Sequence, residues 1–278
     1  QPAGFDMKLG DLGIYAAKVK CKNLHDTYRS FQDKGLELLD QPRKDPNGEE
    51  TFFVRDPFDN IFQLVEGNSW YKNEKKPTGG AYGAVIGVTD IDRSLQVYSG
   101  ILGYDRVIYD ERKAFDDLSP LPGGQNEFRR VLLTHSNPRQ GGFSPLLGDS
   151  MIELVEVTNR SPRKIYQDRF WGDPGFIHLC FDIRGMELLK KECEEKGFHF
   201  TVDSNVSQHQ EHSFDMGEAA GHFSYIEDPD GTLIEFVETH KVPVIKKLGW
   251  YINLKKRDPV KSLPNWMIKA LSFNRVKF

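Results

Sequence analysis

Three short stretches of the chain share one pattern of apolar and polar positions: "IFQLVEG" at 61–67, "MIELVEV" at 151–157 and "LIEFVET" at 233–239. Each reads as a β-strand whose centre carries a polar residue, Gln63, Glu153 or Glu235, between apolar neighbours. Side chains alternate between the two faces of a strand. Each of these residues therefore faces away from the core that its neighbours join. The pattern extends backwards. "FVRDPFDNIFQLVE" at 53–66 aligns without gaps on "YIEDPDGTLIEFVE" at 225–238, and both read as a hairpin turning on Asp-Pro. The second copy replaces the tight turn with the Gly/Pro/Ser-rich insertion "SNPRQGGFSPLLG".

A strand and a helix precede each hairpin. Leu24, Tyr28 and Phe31 recur at helical spacing before Gly35. Leu95, Tyr98, Ile101 and Leu102 do so before Gly103, and Met186, Leu189 and Cys193 before Gly197. Asp90 or Asp92 suits the N-cap of the second helix. The chain thus predicts three βαβββ modules, at about 15–67, 82–157 and 176–239, separated by linkers rich in Gly, Pro and charge. A further short helix is expected in "SLPNWMIKALSF", with Ser262 as cap, Pro264 in the first turn and a Trp266, Ala270, Phe273 stripe.

Composition narrows the picture. Of 278 residues, 38% are hydrophobic and 28% charged, as in ordinary globular proteins. No apolar run approaches the ~18 residues of a membrane span, and the net charge of −4 gives no general basic field for nucleic acid. From Lys241 onward there are ten Lys/Arg and one acid, so this tail carries +9 and the rest −13. It reads as a solvated tail docked on an acidic body, with an anionic partner or membrane surface as the alternative. Cys21, Cys180 and Cys193 are odd in number and lack metal-type spacing, so they read as free or structural thiols. No signal peptide is visible, which with the cysteine count favours a cytoplasmic location. The start at Gln1 leaves a processed, exported form open.

"VTDIDRSLQVYSGILGY" resembles the opening helix of the vicinal oxygen chelate superfamily, the glyoxalase and bleomycin-resistance type fold, and "EDPDGTLIEFVE" resembles its closing hairpin. The resemblance covers most of residues 15–240. It implies an α+β fold in which βαβββ modules pair into open, curved β-barrels with helices outside. It also implies metal ligands at one position on the first strand and one on the last strand of each module. Those positions are Ala16 and Gln63, Gly83 and Glu153, and His178 and Glu235. Ala16 and Gly83 cannot ligate. The expectation is therefore a barrel over 76–240 made by the second and third modules, collecting Glu153, His178 and Glu235 around a divalent metal. Mn, Fe, Mg, Zn, Co and Ni all suit such ligands. The alternative is a degenerate barrel whose carboxylates are hydrogen-bonded. The first module, residues 1–75, is left without a partner, which predicts a homodimer or a module upstream of Gln1.

Three functions fit. A metal-dependent isomerase, lyase or dioxygenase would act on a small oxygen-rich substrate, with Glu153 moving a proton. A metal-free protein of the same fold would bind a small molecule in the cavity. An interaction scaffold has only the basic tail in its favour. His135, His209, His212 and His222 border long polar loops. They are candidates for contacting substrate, or members of ordinary solvated loops.

Overall fold

The computed structural model describes residues 4–72, 75–205, 214–215, 220–245 and 249–270. The first module comprises β1 (Gly13–Cys21), α1 (Leu24–Asp33), β2 (Glu37–Leu38), β3 (Arg43–Lys44), β4 (Glu50–Arg55) and β5 (Ile61–Glu66). The second comprises β6 (Thr78–Gly87), α2 (Ile91–Tyr98), β7 (Arg106–Ala114), β8 (Glu127–Thr134) and β9 (Met151–Val157), with α3 (Ser144–Leu147) in the insertion before β9. The third comprises β10 (His178–Asp182), α4 (Met186–Glu195), β11 (Val202–Asp203), β12 (Phe214–Asp215), β13 (Ala220–Glu227) and β14 (Leu233–Ile245); β15 (Trp250–Asn253) and α5 (Asn265–Ala270) follow.

The chain divides into two compact units: Gln1–Asn137 with Asp149–His178 and Asp228–Thr232, and Pro138–Gly148 with Leu179–Glu227 and Leu233–Phe278. The first unit contains one open sheet, in the order β2-β4-β5-β1-β6-β9-β8-β7 with β3 beside β4. It is built by modules one and two, joined where β1 runs antiparallel to β6. This corrects the expected pairing of the second module with the third, and it gives the first module a partner inside the chain. Pairing follows the edges of the modules and not their ligands. Ala17 meets Ala84 and Lys18 meets Gly83 across the joint, small side chains that let two first strands approach. Gly83 has a further reason to lack a side chain. Its φ is +149°, and a Cβ there would lie 1.7 Å from the Met151 carbonyl oxygen, so no histidine fits the position. The six-stranded sheet has the order β10-β14-β13-β11, with β12 beside β13 and β15 beside β14. β14 runs past residue 240 and pairs with β15, so the start of the basic tail is sheet.

Alternation sorts each strand as expected. In the first module Cys21, Leu24, Phe52, Val54 and Leu64 form a buried cluster under the helix, joined by Tyr28 and Phe31; Phe52 meets the Tyr28 ring edge-on with centroids 5.2 Å apart. Gln63 lies on the opposite face. The last residue of the repeated phrase also has a constant task. Glu66 Oε1 accepts the Leu24 N–H at 2.6 Å, Glu156 Oε2 the Ile91 N–H at 3.2 Å, and Glu238 Oε1 the Gly185 N–H at 2.8 Å. In each module a last-strand carboxylate therefore sits at the start of the helix, where unpaired amides and the helix dipole favour a negative charge. Asn23 and Asp90 add side-chain caps, bonding Asp26 N and Arg93 N. The Asp-Pro turns form as predicted. Asp56 Oδ1 accepts from Phe58 and Asn60 N–H, and Asp228 Oδ1 from Asp230 and Thr232 N–H.

The C-terminal helix differs from its expected stripe. Ile268 is buried and Trp266 is exposed, because the helix starts at Asn265 and turns Leu263 and Ile268 inward; Phe273 lies outside the described residues. Glu66→Ala should lower stability by about 1 kcal/mol, read as a shifted urea midpoint with an unchanged slope.

Candidate functional site

The concave side of the first unit's sheet is assembled by register. β1 runs parallel to β5 with Lys18 opposite Gln63, and β6 runs parallel to β9 with Val85 opposite Glu153. Lys18 lies two residues beyond Ala16, on the same face of β1. Its ammonium donates to Gln63 Oε1 and, at 2.7 Å, to Glu153 Oε2. It is thereby held between the last-strand positions of the two modules. Lys18, Gln63 and Glu153 are each at most 2% exposed.

A second cation backs the first. Arg130 on β8 donates through Nε to Glu153 Oε1 at 2.7 Å and through Nη1 to both oxygens of Asp117 at 2.9 Å. Tyr109 on β7 donates its hydroxyl to Glu153 Oε1 at 3.0 Å, and Gln63 donates to Thr51 at 3.1 Å. The Arg130 guanidinium also lies 4.6 Å from the centroid of the Phe115 ring, a cation–π contact. Two carboxylates thus face two cations, and the buried set is neutral. Burial alone would raise the Glu153 carboxyl, but Arg130 and Lys18 outweigh it and hold it at about 2. Burial raises Asp117, with Arg130 opposing. Asp45, half-buried on the turn after β3, is raised by burial and by the nearby Glu153 charge, with a backbone hydrogen bond from Glu49 and the Lys18 and Arg130 charges opposing.

The metal implied by the fold does not fit here. A divalent ion between Gln63 and Glu153 would have to displace the Lys18 ammonium from its bonds to both. It would also add two positive charges to a buried set already balanced by Lys18 and Arg130. Among the described residues, no group of three or more His, Cys, Asp or Glu side chains is placed to hold a metal. Of the expected set Glu153, His178 and Glu235, the first two lie in the first unit and Glu235 in the second. Glu153 is a ligand to cationic side chains of its own unit. A carboxyl held at about 2 is a weak base, so it suits a fixed counter-ion better than the expected proton carrier.

The remaining candidates separate. His178 opens β10 and stacks on Trp171, centroids 5.6 Å apart. Glu235 is half-buried opposite Tyr225. Burial raises the Tyr225 phenol, as does its hydrogen bond to Glu235; the chain packed around the Cys180 sulfur, with the same carboxylate, pushes that thiol up to about 12. His222 is buried with Nε2 2.6 Å from Asp203 Oδ1, and Asp203 also receives Lys190 at 3.0 Å. This makes His222 a tie between β13 and β11. His135 packs on the Tyr104 ring, centroids 4.0 Å apart, and its Nε2 lies 3.3 Å from the Leu102 carbonyl oxygen. His209 and His212 lie outside the described residues. Lys18, Arg130, Tyr109 and Asp117 were missed. Two lysines, Lys18 and Lys20, alternating through the apolar run "IYAAKVKC" were the available signal.

A profile of the Glyoxalase/Bleomycin resistance protein/Dioxygenase superfamily matches residues 83–236, more than half of the chain, and the chain belongs to that superfamily. Among solved structures it is similar to glyoxalase I from Zea mays, with 14% identity and a TM-score of 0.51 over 84% of this chain and 70% of that one. It is also similar to a putative dioxygenase from Bacillus subtilis, with 14% identity and a TM-score of 0.51 over 85% of this chain and 64% of that one. At such identities the likeness concerns the fold. A comparison with curated proteins gave no significant match.

Two outcomes follow from the buried network. Lys18→Met leaves Glu153 short of a counter-ion and should cost about 3–5 kcal/mol, whereas adding Glu153→Gln to it should cost less than the two single changes summed. The Glu153 carboxyl is depressed on folding from 4.5 to about 2. Its stabilising contribution is thus present above pH 4.5 and lost as pH falls through about 2. Urea midpoints measured down this range should fall less steeply in Glu153→Gln than in the native chain.

Proposed function

We propose that the first unit binds a small oxygen-rich molecule without a divalent metal, the positive charge at the site coming from Lys18 and Arg130. The observation that carries this reading is the Lys18 ammonium, which bonds both Gln63 and Glu153. Two unspent polar valences favour a ligand over a purely structural role. The described hydrogen bonds use two of the three Lys18 N–H donors. The Tyr15 hydroxyl is buried without a hydrogen-bond partner among the described residues. Tyr15 shares an apolar cluster with Phe53, Ile61, Val85 and Phe115, and Phe115 lies against Arg130. A buried hydroxyl without a partner is uncommon; an oxygen-bearing ligand would supply one.

In this reading Lys18 directs an N–H to a ligand oxygen and Glu153 fixes the ammonium in place. No metal is needed to polarise a ligand oxygen, because the Lys18 ammonium is itself a charged donor. Elemental analysis of protein purified without chelators should find divalent metal far below one equivalent, and chelator should leave the melting temperature unchanged. One equivalent of metal, lost on Glu153→Gln, would overturn the proposal and restore the metal-dependent enzyme as the better reading.

A further inference from the structure

The second unit has a cleft of its own, open to solvent on one side. Asp182 ends β10 within it and Arg184 follows. Thr239 comes from β14, Arg257 and Lys261 from the segment after β15, and Phe143 from the insertion of the second module. We propose that this cleft binds a small molecule carrying a carboxylate beside a hydrogen-bond donor, the chemistry shared by α-hydroxy acids and α-amino acids.

Each wall contributes to that chemistry. The Asp182 carboxylate is half-buried, and none of the described hydrogen bonds reaches it. Burial pushes it up to about 6, with Arg184 opposing and the Glu238 charge adding, so at neutral pH it is mainly an ionised acceptor facing the cleft. Such an acceptor can take an O–H or N–H from a ligand in the cleft. Arg184 is fixed by donating to the Leu254 carbonyl at 2.8 Å and the Thr239 carbonyl at 3.4 Å, which leaves further guanidinium donors unspent. Arg257 is half-buried and Lys261 exposed, so both can add positive field for an anion. Asp258 also borders the cleft, but it is turned to its own loop, where Oδ1 accepts Val260 N–H at 3.1 Å.

The walls are held in place before any ligand arrives. Leu254 N–H bonds the His240 carbonyl at 2.8 Å and Leu263 N–H bonds the Gly142 carbonyl at 2.9 Å, and Leu254 and Leu263 are buried. The enclosed part of the cleft is only about 20 Å³, which restricts what it takes in to a small polar group. The acceptor and the cationic groups together select a ligand with both functions over a simple carboxylate.

The test is calorimetric titration of the full chain with glycolate, glycine and acetate. Glycolate or glycine should bind about tenfold more tightly than acetate, the value of one charge-assisted hydrogen bond. Whichever of the two binds assigns the donor as hydroxyl or ammonium. Asp182→Ala should bring that compound down to the level of acetate, and Arg257→Ala with Lys261→Ala should weaken all three. Asp182→Asn serves in the same role if the alanine variant fails to fold, judged by its melting curve. Arg29→Ala, an exposed change on the first unit's α1, should leave binding unchanged. Equal affinity for acetate, a preference that survives loss of the Asp182 carboxylate, or no binding of any of the three would overturn the proposal.

Discussion

The Lys18–Glu153 ion pair is the contact on which the first unit's interior depends. The two residues are 135 positions apart and come from different modules, so the pair exists only once β1 and β6 have joined. Neither charge has water to solvate it. Removing a carboxylate and an ammonium from water costs several kcal/mol each, and their mutual attraction repays this only when the remaining lone pairs and protons are also satisfied. Arg130, Tyr109 and Gln63 do most of that work, leaving one Lys18 N–H, and Asp117 balances Arg130 in turn. A sheet face that could have been apolar instead carries a charge-balanced network, which favours one arrangement of the two modules over shifted alternatives.

The three modules keep one framework and vary one position. The framework includes the last-strand carboxylates Glu66, Glu156 and Glu238, each at the beginning of its module's helix. The variable position, three residues earlier, holds Gln63, Glu153 and Glu235. Gln63 accepts from a lysine; Glu153 is held by a lysine, an arginine and a phenol; Glu235 is served by Tyr225 and Cys180. The two positions differ because an odd spacing on a strand places them on opposite faces. One face packs against a helix and tolerates little change, while the other answers only to whatever lies inside the concave side.

Much of this was legible in the chain. Period-two alternation gave the strands, helical spacing the three helices, and the Asp-Pro sequences their turns, because each of these is decided by residues within a few positions of one another. The site was less legible. Gly83 looked like a lost histidine, yet the approach of the Met151 carbonyl excludes any side chain there. Lys18 drew no reading at all, since nothing local says that its ammonium will be buried 2.7 Å from Glu153.

The sequence by itself determined the module, its repetition, the faces of its strands and the membership in the superfamily. Those properties come from short-range periodicity, which folding cannot rearrange without exposing apolar surface. Only the tertiary structure decided which modules join, and therefore which charges meet. Edge pairing brings together residues with no shared local pattern, and the cost of burying an unpaired charge then fixes their partners. The first module found its neighbour in β6 of the second, and with that choice the expected metal position became the place of a lysine.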